Sequence, residues 1–183
     1  MTENTPEVLN LADMLTGNTF PEKTIDVFVN EALTYQIADL NARIASEPSN
    51  EALEAELDGL IEEAQAFRFR IVIQGVPRHD LMAALERIEE QFPAEYSALG
   101  RRKPNAEADN AMSILQWVLH IKKIVGPSGA EAGPLSEEEA ETLRDQLPLA
   151  AIQAVETGIS DIIEKTRSGH EALAMESDFL SKR

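Results

Sequence analysis

The sequence predicts an α+β fold, predominantly helical, in which a small antiparallel sheet of residues 24–29 and 67–74 is linked by a helical hairpin and packed with a C-terminal helical bundle. Three observations predict it. In Phe67-Arg68-Phe69-Arg70-Ile71-Val72-Ile73-Gln74, Phe67, Phe69, Ile71 and Ile73 alternate with Arg68, Arg70, Val72 and Gln74, the period-two pattern of a strand with one buried side. Residues 24–29 alternate too, with Ile25, Val27 and Val29 on one side and Asp26 and Phe28 on the other. Elsewhere the apolar residues step by three and four, which places them on one face of a helix.

The elements follow in order. Residues 1–23 hold Pro6, Gly17, Asn18 and Pro21 around one short apolar group, Val8, Leu9, Leu11, Met14 and Leu15. They read as a flexible N-terminal arm. If the two strands pair, Asp26 faces Arg68 or Arg70 across the ladder. Between the strands, Leu33, Ile37, Leu40 and Ile44 form one helical stripe and Leu53, Leu57, Leu60, Ile61 and Ala64 a second, broken by Ser46-Glu47-Pro48-Ser49-Asn50. A stop, a proline and a capping residue at that break make an antiparallel hairpin, which returns the chain to where the first strand ended.

After Gly75-Val76-Pro77 a helix starts near Arg78 or His79, turns Leu81, Met82, Leu85 and Ile88 inward and ends before Pro93. Residues 94–104 read as a loop. From Asn105 a longer helix carries Ala108, Ala111, Met112, Leu115, Val118 and Leu119 on one face, widened by Ile114, Trp117, Ile121 and Val125; apolar over so much of its circumference, it is the expected core helix. Gly126 to Pro134 is the clearest linker. Ser136 with Glu139 three positions later is a capping box, with Glu137 and Glu138 at the positive end of the helix dipole. That helix reaches about Gln146, and Pro148 opens another through Ile152, Val155, Ile159 and Ile162. Residues 24–165 thus read as a single α+β domain with its Gly/Pro linker at 126–134, and 166–183 as a flexible C-terminal tail with few apolar contacts.

The 183 residues suffice for one domain, and a formal net charge of −17 with a pI near 4.5 argues against nucleic acid, whose binding draws on Lys and Arg displacing counterions. An anionic membrane surface is disfavoured for the same reason. The same charge favours solubility and discourages non-specific association. There is no cysteine, hence no disulfide framework, thiolate metal site or cysteine nucleophile. Residues 1–7 lack the basic region and apolar core of a secretion signal, and no apolar stretch approaches the ~18 residues of a membrane span, so a cytoplasmic protein is expected.

Signals of catalysis are weak. His79, His120 and His170 are dispersed and read as a helix-cap residue, a helix-surface residue and a tail residue; none pairs at metal-ligand spacing. No phosphate loop, dinucleotide fingerprint, nucleophile elbow or calcium loop occurs. Glu62-Glu63 and Glu137-Glu138-Glu139 read as a solvated helix face and a helix start, since nothing marks them as desolvated. Arg101-Arg102-Lys103, the densest basic cluster, reads as an exposed loop or a contact for an acidic partner. Phe67 and Phe69 beside Arg68 and Arg70 outline a base-stacking platform only superficially, because the glycines of an RNA-recognition signature are missing. No enzyme, cofactor or metal site is expected.

The order of elements carries a family resemblance. Thr24-Ile25-Asp26-Val27-Phe28-Val29, a charged helix pair, Phe67-Arg68-Phe69-Arg70-Ile71-Val72-Ile73, the turn Gly75-Val76-Pro77-Arg78, a helix closing at Gln91-Phe92-Pro93, a core helix, a Gly/Pro linker and Pro134-Leu135-Ser136-Glu137-Glu138-Glu139-Ala140 before a terminal helix resemble the tail assembly chaperones of long-tailed bacteriophages. The likeness spans residues 24–165 and rests on apolar positions and prolines. It implies a non-enzymatic helper, in the cytoplasm of the infected bacterial host and not in the mature virion, that binds the tape measure protein and helps recruit tail tube subunits. Members are often made in a short form and a rarer frameshifted extension; this chain would be the short form. The family pattern supplies no binding residues. The surfaces available for a helical partner are the hairpin, through Leu33, Ile37, Leu40, Leu53 and Leu57, and the terminal helix, through Ile152, Val155 and Ile159. Burial of both stripes against the sheet and core helix is the favoured reading over an exposed groove. The other expectation is a structural or adaptor protein, a homo-oligomer formed through the hairpin.

Overall fold

The computed structural model describes residues 20–99, 101 and 103–180, with side chains described to residue 168. Among these residues, six helices and a four-stranded antiparallel sheet of order β1-β2-β3-β4 bear out the predominantly helical α+β class. Most of the expected N-terminal arm lies outside the described residues.

Strand β1, Glu22–Phe28, and strand β2, Arg68–Gln74, pair in the register Glu22↔Gln74 to Phe28↔Arg68. Glu22 and Lys23, expected in the arm, belong to the strand, and Gly75 N–H donates to Pro21 O at 2.9 Å just beyond its start. Phe67 falls in a short 3-10 turn, Gln65–Phe67, instead of the strand. Ile71 and Ile73 are buried as the alternation requires, but Val72 is buried too. β2 is therefore covered on both faces at its centre, where the alternation alone indicated one.

Helices α1, Glu31–Ser46, and α2, Glu51–Ala64, form the expected hairpin between the two strands. Asn30 caps α1 by accepting from Leu33 N–H at 3.1 Å. At ~1.5 Å per residue each arm is about 20–24 Å long. The arms pack chiefly on each other, burying Leu33 and Leu40 of α1 and Leu53 and Ala64 of α2. The apolar stripes thus face neither the sheet nor the core helix.

Helix α3, Arg78–Gln91, follows the Gly75-Val76-Pro77 turn. Its buried residues are Ala84 and Ile88, while Met82 and Leu85 are exposed, a correction to the expected inward face. The smaller residue lies inward because α3 packs close to helix α4, Ala106–His120, in a second cluster made by Ala84, Ile88, Ala108 and Leu115. Asn105 caps α4 through Glu107 and Ala108 N–H.

Two further corrections concern the middle of the chain. The core helix stops at His120, and Ile121–Val125 is a strand, β3, paired with the free edge of β2 across a bulge at Val72/Ile73. Ile121, Ile124 and Val125 fit the helical period, but β-branched residues suit a sheet, and β2 supplies an unpaired edge. The expected linker at 126–134 is a β-hairpin: Gly126 N–H donates to Ala130 O at 2.8 Å, and Glu131–Ala132 form β4 against Ile124 and Val125. Gly133 passes so near β3 that a Cβ would lie 2.9 Å from Lys122 O, at a φ of +128°.

Helix α5, Glu137–Gln146, starts with the predicted capping box, Ser136 Oγ accepting from Glu139 N–H and Glu139 Oε2 accepting from Ser136 N–H at 2.8 Å. Helix α6, Leu149–Leu180, then crosses the sheet. Its Ala151, Val155, Ile159 and Ile162 meet Val27, Ile71, Ile73, Trp117, Ile121 and Ala140 in the main core. The backbone stays helical past Thr166, where the tail was expected to begin. Met175, Phe179 and Leu180 lie outside the described side chains.

Candidate functional site

The residues proposed from sequence for partner binding fall on two separate seams. Leu33, Leu40 and Leu53 are buried between the hairpin arms, with Ile37 and Leu57 half-buried beside them. Val155 and Ile159 are fully inside the core and Ile152 is half-buried against it. None of the eight presents an open apolar face. The structure nevertheless brings the hairpin and the terminal helix together, through different residues.

Where β1 runs into α1, and α6 begins, a cleft of about 570 Å³ opens between the two helices. Its floor is the end of β1, at Asp26, Val27 and Phe28. One wall is Glu31, Thr34, Tyr35 and Ala38 of α1, and the other is Pro148, Ala150, Ala151 and Ala154 of α6 and its start. Local sequence builds each wall. Asn30 fixes where α1 starts, and Thr34 Oγ1 folds back to donate to Asn30 O at 2.9 Å. Pro148 ends the preceding turn, and its carbonyl accepts from Ala151 and Ile152 N–H to start α6. The alanines leave the cleft open. Tyr35, 74 % exposed, stands at its edge, while Val29 and Leu149, each adjacent in chain to a lining residue, are also exposed.

Two carboxylates, Asp26 and Glu31, line the cleft. From Glu31 to Ala42 the only charged residues are Glu31 and Asp39; from Leu149 to Glu164 they are Glu156, Asp161 and Glu164. Arg68 holds Asp26 with two hydrogen bonds of 2.8 and 2.9 Å. Lys23 holds Asp161 at 2.7 Å and pulls its pKa below the usual carboxylate value. Glu156 accepts from Ser113 and lies 3.7 Å from Arg144. Glu31 and Asp39 have no ion-pair partner among the described residues. The cleft is an apolar recess edged by Glu31 and by the Asp26–Arg68 pair.

His120 corrects another expectation. The last residue of α4, it is not on the helix surface but 2 % exposed. Its Nδ1–H donates to Gln74 O at 2.9 Å, and Nε2 meets no hydrogen-bond partner. A carbonyl can only accept, so Nδ1 carries the proton in this contact. Burial lowers its pKa, opposed by the bond to Gln74. His79 lies exposed beside Asp80, and the His170 side chain is outside the described residues. Lys103 of the basic cluster is engaged by Glu95 at 3.0 Å.

Among the described residues no group of three His, Asp or Glu side chains is placed to hold a metal ion, and no helix is long and apolar enough to cross a membrane. Comparison with family models, curated proteins and solved structures gives no match.

Sequence reasoning missed the cleft because its walls are alanine, threonine and tyrosine, which carry no apolar period. The available signals were Tyr35, set between the stripe residues Leu33 and Ile37, and the alanine-rich start of the helix after Pro148.

Proposed function

We propose that this chain is a non-enzymatic tail assembly chaperone of a long-tailed bacteriophage, acting in the infected host's cytoplasm, that binds the tape measure protein and helps recruit tail tube subunits. The observation that carries the reading is the order of elements: β1, the α1–α2 hairpin, β2, the Gly75-Val76-Pro77 turn, and α3 closing before Pro93. That is the order on which the resemblance rests. An open apolar cleft on a protein of net charge −17 also suits a chaperone, which must meet apolar helices while staying dissolved. The adaptor alternative needs the hairpin stripes free to meet a second copy, whereas Leu33, Leu40 and Leu53 are buried within the hairpin.

The test is co-expression with the tape measure protein of the same phage. The proposal expects the tape measure protein to move from the pellet to the supernatant and to copurify with this chain, and expects mass spectrometry of purified virions to lack it. A tape measure protein left insoluble, or this chain present stoichiometrically in virions, overturns it.

A further inference from the structure

We propose that α3 is a hinged cover, latched by the Arg87–Glu137 ion pair, that opens as a unit before the rest of the fold and uncovers an apolar side of α4. The inference stands apart from the chaperone reading.

Helix α4 is apolar on two sides, and the two are covered differently. Ile114, Trp117 and Val118 join the main core with residues of α6. Ala108, Ala111, Met112, Leu115 and Leu119 lie in a second cluster, which α3 completes through Ala84 and Ile88, with Phe92 at its end. The cover is light. α3 packs chiefly on α4, and it turns Ala84 and Ile88 inward while Met82 and Leu85 stay exposed. An element that buries few apolar side chains is among the first to open while the rest of a protein stays folded.

The flanks let α3 swing. Before it, His120 Nδ1–H donates to Gln74 O and Gly75 N–H donates to Pro21 O, so the chain is fixed up to Gly75 and Val76-Pro77 is the hinge. After it, the chain passes Phe92-Pro93 into a loop tied to itself, where Lys103 N–H donates to Glu95 O at 2.8 Å. Among the described residues one ion pair joins α3 to another helix. Arg87 Nη1 and Nη2 donate to the two Glu137 oxygens at 2.5 and 2.8 Å, in the first turn of α5, where the helix dipole steadies a carboxylate. Both side chains are about half exposed, which makes the latch a weak one.

The chain has no cysteine, so one engineered thiol reports opening through its rate of reaction with iodoacetamide. Ala84→Cys and Ala108→Cys place the thiol on either side of the seam, and Val155→Cys places it in the main core. The seam thiols are expected to react at least tenfold faster than the core thiol, with a shallower urea dependence because less surface is exposed on opening. Ile71→Val weakens the main core, so it is expected to speed the core thiol several-fold and leave the seam thiols unchanged, since the open form keeps that core. Arg87→Gln is expected to speed the seam thiols about two- to fivefold, the range of an exposed ion pair, and Glu137→Gln to add little once Arg87 is replaced.

Seam and core thiols that react at one rate with one urea dependence, or Ile71→Val speeding all three alike, overturn the cover. Seam thiols indifferent to Arg87→Gln overturn the latch. If the cysteine variants melt differently from wild type, hydrogen exchange of the unaltered chain decides: α3 amides are expected to exchange at least tenfold faster than those of α4, and equal protection overturns the proposal.

Discussion

Asp26 lies opposite Arg70 in the sheet, yet its carboxylate is taken by Arg68, two residues earlier on the same face of β2. Nε and Nη2 of Arg68 meet the two carboxylate oxygens, and Nη1 donates to Gln65 Oε1 at 3.2 Å. The bond to Gln65, in the turn that follows α2, helps hold the guanidinium aimed at Asp26. The fork geometry fits a carboxylate better than a single ammonium contact would. Arg68→Ala is therefore expected to lower the urea midpoint more than Arg70→Ala, and the difference should shrink in 1 M salt, where exposed pairs are screened. Equal effects of the two substitutions would refute the assignment.

Gly158 lies where α6 packs tightly on side chains of the sheet. A Cβ there would lie 2.2 Å from Ile25 Cδ1 and 2.9 Å from Ile73 Cδ1. Gly158→Ala gains about 1 kcal/mol in helix propensity but overpacks the core at a cost of about 1–3 kcal/mol, so a net loss of stability is expected. Removing Cδ1 with Ile25→Val should make Gly158→Ala less costly. A double-variant cycle in urea reads this coupling, and strict additivity would show that the contact is not the cause.

The hairpin has its own small core. Leu40 is buried in it, whereas Tyr35 is largely exposed. Leu40→Ala is expected to destabilise by about 2–4 kcal/mol, in the range of buried leucine truncations, while Tyr35→Ala should change stability by less than about 0.5 kcal/mol. Hydrogen exchange should place the loss of protection after Leu40→Ala first in α1 and α2.

His120 predicts a pH dependence of defined sign. Its folded pKa is lowered by burial, so below the ordinary value of about 6.5 the unfolded chain takes up a proton that the folded chain refuses. Its contribution is full above that value and declines as the pH falls toward the folded pKa. The ring resonances of His120 should titrate below pH 6.5. In urea titrations, His120→Gln should show less loss of stability than wild type between pH 7 and 5.

The legible parts of this fold were those with a period of their own. The strand pair, the hairpin and the capping box at Ser136 are local patterns whose meaning does not depend on what packs against them. Ile121 to Val125 fit the helical period, and it was the free edge of β2 that made them a strand. Leu81, Met82 and Leu85 misdirected the face of α3 because size alone does not say how closely a neighbouring helix approaches. The apolar stripes were visible, but apolar period marks what is buried, so it pointed to the seams. The cleft was built from the residues the period skips.

Asp26 and Arg68 are 42 positions apart, a separation that makes a strand pair slow to close, because the chain must lose loop entropy before any ladder bond forms. The hairpin occupies that interval and is held by contacts between neighbouring helices. Once α1 and α2 dock, the span left to be searched shortens to the few residues around Val29 and the turn before Arg68. The same Leu40 and Leu53 contacts that hold the arms together are thus placed to influence the folding rate of a sheet they hardly touch: Leu40→Ala is expected to slow refolding in stopped-flow measurements, and an unchanged rate would exclude an arms-first order.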